Sequence, residues 1–356
     1  MDCDIKKIDK NMDFPKKVNG DIEYYPLSSE NFYVIGLDDI ENFTKFSYEE
    51  TQEQISKLSN GMQWGNACTA GGQVHFQTNS DKIYIRALLT GKPCMDNLGA
   101  LAQCGFDLYL YDNKTYRYEF YGITRLSVQE DSINTQIASF NNSESKSIII
   151  NLPLYCGIKN LSIGVRAGCY IKKSTTFDLQ KKILFYGTSI TQGASSSRSG
   201  LCLTNMVSRE LGIPALNFGF SGSAMGEAEV LELISRRKAD IYVIDYEANA
   251  YDLIYTTLAE GIRRIRKENK DSKIIICSML PQLADKVDDK VRKSRDKRRK
   301  YIRQFVINCK EEGDDNIYFL DGLKIWGKNY LDCLMDGCHP NDIGFQIYKN
   351  KLIKIL

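Results

Sequence analysis

At 356 residues the chain exceeds what one ordinary hydrophobic core organises, so two domains are expected. Hydrophobic residues make up 43 %, charged residues 26 %, and the formal net charge is +2. These values are ordinary for a globular protein and argue against an overall electrostatic field directed at nucleic acid or membrane.

The first thirty residues, from Met1-Asp2-Cys3-Asp4-Ile5-Lys6-Lys7 onward, are charged and hold no apolar stretch of secretory-signal length. No run anywhere is long and apolar enough to cross a bilayer. The eleven cysteines include no Cys-x-x-Cys pair, so neither a structural zinc site nor a redox motif is indicated. A cytoplasmic setting is therefore expected, with secretion the alternative if a signal lies outside the given chain.

From about residue 20 to 172, apolar and polar residues alternate in short runs such as Lys82-Ile83-Tyr84-Ile85-Arg86-Ala87-Leu88, Phe106-Asp107-Leu108-Tyr109-Leu110-Tyr111 and Ser147-Ile148-Ile149-Ile150-Asn151-Leu152. Turns at Asp112-Asn113-Lys114 and Asn141-Asn142-Ser143 separate them. The pattern predicts an antiparallel, jelly-roll-like β-sandwich. Helical spacing is limited to 47–58. His75, in a strand-like segment, reads more simply as a residue hydrogen-bonded in place than as a ligand. The segment 94–104 breaks the alternation. It is either a purely structural loop or one that leans over the next domain.

The β pattern lapses at Lys172-Lys173-Ser174-Thr175-Thr176, which puts the domains at 1–175 and 176–356. Beyond it, strand-like runs at 183–186, 214–218, 240–246, 273–279 and 316–320 alternate with helical patterns at 227–238 and 257–267 and after Pro340-Asn341. Five strands alternating with helices predict a parallel, doubly wound sheet of the flavodoxin-like type. The basic run 290–303 is expected to be the solvated face of a helix reaching Ile307.

In the usual strand order 2-1-3-4-5, the turns after strands 1, 2 and 3 meet at one edge of the sheet, where ligands of such folds collect. Those turns carry Ser189, Gly222 and Asn249. A serine nucleophile with N–H donors aimed at a developing oxyanion fits acyl transfer. The donors would be the backbone N–H groups of Ser189 and Gly222 and the Asn249 side chain. The base follows by elimination, because His339 is the one histidine in this half of the chain. Asp336, three residues earlier, is close enough to hold its imidazole. The long connection 321–338 has the reach to bring the pair across the mouth of the sheet. No metal and no cofactor is called for. Gln192 and Arg198, in the same loop as Ser189, are candidate substrate contacts, and Arg198 is alternatively a salt-bridging residue that holds the loop.

Gly187-Thr188-Ser189-Ile190-Thr191-Gln192-Gly193, Asn217-Phe218-Gly219-Phe220-Ser221-Gly222, the Asn249 turn and Asp336-Gly337-Cys338-His339-Pro340 resemble the four blocks of the SGNH (GDSL-type) hydrolases. Phe106-Asp107-Leu108-Tyr109, Leu152-Pro153-Leu154-Tyr155 and Asp321-Gly322 resemble a subgroup with an amino-terminal β-sandwich, so the likeness spans nearly the whole chain. It implies a serine esterase with Ser189 as nucleophile, Gly222 and Asn249 in the oxyanion hole, and Asp336 with His339 completing the site. Thr188 and Ala248 depart from the wider family, which has an acid and a glycine there. The expected substrate is a short acyl ester, such as acetyl on a carbohydrate or another small molecule, with neither nucleic acid nor membrane as partner. Three alternatives share the chain's features: an acyltransferase or thioesterase using the same residues, a phosphate cradle at 188–197, and a glycan-binding protein without catalysis.

Overall fold

The computed structural model describes residues 8–9, 20–47, 54 and 56–356. The helical pattern expected over 47–58 falls largely outside these residues, as does the charged stretch Met1–Lys7.

The amino-terminal strands are β1 (Ile22–Pro26), β2 (Tyr33–Ile35), β3 (Gln73–Thr78), β4 (Lys82–Leu89), β5 (Asp107–Asp112), β6 (Arg117–Ile123), β7 (Ser132–Ser139), β8 (Lys146–Asn151), β9 (Ile158–Arg166) and β10 (Ile171–Lys173). They form two antiparallel sheets, ordered β1-β9-β4-β7 and β10-β3-β8-β5-β6, with β2 added beside β3. The period-two pattern decides which side chains enter the core. In β4, Ile83, Ile85, Ala87 and Leu89 are buried and meet Val74, Phe76, Ile148 and Ile150 of the facing sheet. This is the predicted β-sandwich.

The second half is built on β11 (Ile183–Gly187), β12 (Ala215–Gly219), β13 (Ile241–Asp245), β14 (Lys273–Cys277) and β15 (Ile317–Leu320). All pair in parallel, in the order β12-β11-β13-β14-β15, which is the expected 2-1-3-4-5. Every residue of β11 is buried, as a parallel strand covered on both faces must be. One face packs on helices Ala228–Arg236, Ile254–Glu268 and Asp289–Glu311, the other on Leu203–Leu211 and Asp342–Leu352.

The basic run corrects the sequence reading. It lies on the helix Asp289–Glu311, but Arg295, Arg298 and Arg299 are buried rather than solvated. They share a face with the core residues Ile302 and Val306, because residues three and four apart on a helix point the same way. Their charges are met by Asp285 at 2.5 Å from Arg295, Glu247 at 3.2 Å from Arg298 and Asp296 at 2.6 Å from Arg299.

The two halves meet along a continuous seam. Leu98, Ala102, Leu154 and Tyr155 from the sandwich pack with Ala194 and Cys202 from the α/β half. Burying one such leucine contributes about 1.5–3 kcal/mol. Lys45 is fully buried and donates from Nζ to the Gly219 carbonyl at 2.8 Å, and burial lowers its pKa to about 8. The segment 94–104 ends in a short helix, Ala100–Cys104, and crosses this seam.

Candidate active site

Ser189 is the first residue after the β11 turn and opens the short helix Ser189–Gln192, capped by the Thr188 hydroxyl, which accepts from the Ile190 N–H at 3.3 Å. Gly187 allows this turn to sit tightly on the sheet, since a Cβ there would lie 2.5 Å from the Asp245 carbonyl oxygen and 2.1 Å from Thr191 Oγ1. Gly193, at φ 109°, ends the helix and returns the chain so that the N–H groups of Gly193 and Ala194 both bond the Ser189 carbonyl at 2.9 Å.

The connection after β15 folds into the helix Leu323–Trp326 and a 3₁₀ turn, Tyr330–Cys333, pinned where the Trp326 indole N–H donates to Gly344 O at 2.8 Å. A bridge between Leu334 and Pro340 then closes the turn that carries Asp336 and His339. His339 Nε2 lies 2.9 Å from Ser189 Oγ, and His339 Nδ1 lies 2.8 Å from Asp336 Oδ2. Burial works to raise the Asp336 pKa, but hydrogen bonds from Asn97, from the His339 backbone and ring and from the Cys338 N–H hold it well below the usual carboxylate range. An ionised Asp336 can only accept, so Nδ1 carries the imidazole proton and Nε2 is left to accept from the Ser189 hydroxyl.

Gly222 and Asn249 leave the same edge. In the sheet register Gly187 pairs with Gly219 on one side and Asp245 on the other, so all three turns begin level with one another. Gly222 is exposed at φ 68°, a conformation that suits glycine, and a Cβ there would face open space. Asn249 sits in the helix Glu247–Ala250, and its Oδ1 is buried without a partner. The oxygen only accepts, so any contact to an oxyanion would have to come from the Asn249 Nδ2 donor. The strained Tyr251, at φ 47°, ends this helix.

Gln192 and Arg198 turn inward. Gln192 is fully buried, donating to Leu154 O at 3.2 Å and accepting from the Ser221 N–H at 2.9 Å, which fixes the loop that carries Gly222. Arg198 donates to Asp107 Oδ2 at 2.9 Å and lies 3.9 Å from the Phe120 ring centre, which is the loop-holding alternative. His75 is completely buried, 3.0 Å from Thr175 Oγ1, with its pKa lowered by burial to about 3, so it stays neutral and structural.

Two contributors escaped sequence reasoning. Asn97, in the loop that breaks the β alternation, donates to Asp336 Oδ2 at 2.7 Å. Tyr155 donates to the Ser189 carbonyl at 3.3 Å. The disrupted alternation was the one available signal for Asn97. Among the described residues no group of three or more histidine, cysteine or acidic side chains is placed to hold a metal ion. No helix among them is long and apolar enough to cross a membrane.

Residues 180–356 match the model of the GDSL-like lipase/acylhydrolase family, and residues 38–171 match that of the N-terminus of SGNH-hydrolase-type esterases. No curated protein matches the chain at a significant level. Among solved structures, a protein from Bacteroides ovatus described as a GDSL-like lipase superposes with a TM-score of 0.85 at 26 % identity, covering 94 % of this chain and 97 % of its own. The salicylyl-acyltransferase SsfX3 of a tetracycline biosynthetic pathway gives 0.73 at 17 % identity, covering 94 % and 96 %. An acetyl xylan esterase from the rumen bacterium Butyrivibrio proteoclasticus gives 0.55 at 11 %, covering 95 % and 98 %. At such identities the latter two speak to the fold alone.

Proposed function

Because the chain belongs to the SGNH (GDSL-type) hydrolase family and is a carboxylic ester hydrolase, we propose that it cleaves short acyl esters, acetyl groups on carbohydrates foremost, through a Ser189 acyl-enzyme. The observation that carries this is the unbroken chain from Ser189 Oγ to His339 at 2.9 Å and on to Asp336 at 2.8 Å.

In the first half-reaction His339 Nε2 takes the Ser189 proton as Oγ bonds to the ester carbonyl carbon. The carbonyl oxygen becomes an oxyanion, and in this reading the N–H groups of Ser189 and Gly222 and the Asn249 amide donate to it. Collapse breaks the bond to the alcohol oxygen, and the imidazolium returns its proton to that oxygen. Water then repeats the cycle on the acyl-enzyme, with His339 again as base and the carboxylic acid as product. Asp336 stays ionised throughout and stabilises the imidazolium in each half.

The carbohydrate assignment draws on structural likeness to esterases whose names specify carbohydrate or acetyl xylan. The test is turnover of p-nitrophenyl acetate, followed by a panel of acetylated sugars. Ser189→Ala and His339→Ala should each lose at least about 10³-fold in kcat. Wild-type turnover in either variant would overturn the mechanism, and indifference to acetylated sugars would overturn the substrate class.

A further inference from the structure

We infer that Asn97 is a positioning residue of this active site, so that the β-sandwich domain completes the catalytic constellation of the α/β domain. The inference rests on the Ser189–His339–Asp336 assignment above.

The Asp336 carboxylate is held by two kinds of donor. The backbone N–H groups of His339 and Cys338 bond Oδ1 at 2.8 and 3.0 Å, and both belong to the acid's own turn. Oδ2 is shared between His339 Nδ1 at 2.8 Å and Asn97 Nδ2 at 2.7 Å. Asn97 is therefore the side chain from outside the turn that bonds the oxygen facing the imidazole. The turn itself is partly open, with the Asp336 side chain 27 % exposed and Gly337 at φ 81°. Without Asn97, water would occupy that lone pair and compete with the imidazole for the oxygen.

Asn97 is well anchored for this task. Its carbonyl accepts from Ser195 Oγ at 2.9 Å, and Ser195 belongs to the loop that begins at the nucleophile. Ser195 holds φ 69°, an unfavourable conformation for a residue other than glycine, and this bond braces it. The next residue, Leu98, is buried against Ala194 and Cys202. The buried Gln103 side chain clamps the loop by accepting from the N–H groups of Cys94 and Met95 at 2.8 and 3.0 Å and donating to Met95 O and Leu98 O. One residue thus touches the nucleophile loop through its backbone and the acid turn through its side chain. An amide also suits the position chemically. It donates without bringing a positive charge that would weaken the pull of Asp336 on the imidazolium.

The test uses the full chain and p-nitrophenyl acetate. Asn97→Ala should lower kcat about 10-fold while KM stays within about twofold, because only the transition-state imidazolium loses support. Relative to wild type at the same pH, Asn97→Asp should fall further at neutral pH, where two carboxylates face each other, and recover part of that loss as the pH drops and one of them takes a proton, the ratio cancelling the loss of the base that acid causes in both enzymes. Asn97→Gln, which keeps the donor, should be rescued relative to Asn97→Ala. Melting temperatures near that of the wild type would exclude a general loss of structure. Wild-type kcat and an unchanged pH profile in both Asn97→Ala and Asn97→Asp would overturn the inference. Ser189→Ala serves as the reference: if it is inert while the Asn97 variants are normal, this inference alone fails. If Ser189→Ala is itself active, the underlying mechanism fails.

Discussion

Asp336 and Asp245 have carboxyl groups driven in opposite directions by their surroundings. Asp336 is surrounded by donors and stays ionised, whereas Asp245, at the end of β13, is buried, and burial raises its pKa to about 7 against the opposing hydrogen bond from the Tyr348 hydroxyl. An unfolded aspartate ionises near pH ~4. Below that pH Asp245 is protonated in both states and has no effect on stability. Between there and about pH 7 the unfolded chain releases its proton while the folded protein keeps it, so stability falls as the pH rises. Above pH 7 the deficit is constant, at most about 4 kcal/mol. Asp245→Asn keeps an acceptor for Tyr348 and removes the deficit. Thermal melts should show a higher Tm than wild type at pH 8 and no gain at pH 4, and an equal gain at both would contradict the argument. At this scale the sequence disclosed Ser189, His339 and Asp336 as chemical types in the right order. It could not disclose which asparagine would reach Asp336, since Asn97 lies 239 positions away.

Helices 247–250 and 289–311 are tied together by a buried ion pair two residues from Asn249. Glu247 is 1 % exposed and accepts from the Met279 N–H at 2.8 Å and from Arg298 Nε at 3.2 Å. Burial pushes its pKa up, and the bond from Met279 and the Arg298 guanidinium oppose that shift. Two residues on from Glu247 stands Asn249. Arg298→Ala should therefore cost about 3–5 kcal/mol in denaturant unfolding, since it leaves a buried carboxylate unpaired. Arg298→Met combined with Glu247→Gln should recover much of that loss. A single variant as stable as wild type would show that the pair is solvated in solution. Periodicity predicted the helix that carries Arg298 but misjudged its exposed face. Charge density reads as solvent exposure in a sequence, whereas acidic partners brought in by other elements, Asp285, Glu247, Asp252 and Asp321, help make burial of these arginines tolerable.

Across the whole molecule, the sandwich and the α/β half are joined by more than apolar contact. Asp107 of β5 is fully buried and accepts from Arg198 at 2.9 Å, from the Gly200 N–H at 2.7 Å and from Asn151 at 2.7 Å. Arg198→Ala strands that carboxylate, so Tm should drop by several degrees, equivalent to about 3–5 kcal/mol. KM for a small ester should stay near the wild-type value, whereas a selective rise in KM with normal stability would restore Arg198 as a substrate contact. The sequence by itself determined the β-sandwich, the five strands alternating with helices, and the presence of a serine, a histidine and an aspartate suited to a common site, while the strand order rested on what is usual for such a sheet. Those features follow from local periodicity, from the short connections of a doubly wound sheet and from the scarcity of histidine in the second half, none of which needs a three-dimensional neighbour. The tertiary structure decided the rest: the inward turn of Gln192 and Arg198, the burial of the basic helix face and the reach of Asn97 to Asp336. Each depends on groups far apart in the chain meeting across the seam or the sheet, and a hydrogen bond of under 3 Å leaves no trace in the spacing of residues along a sequence.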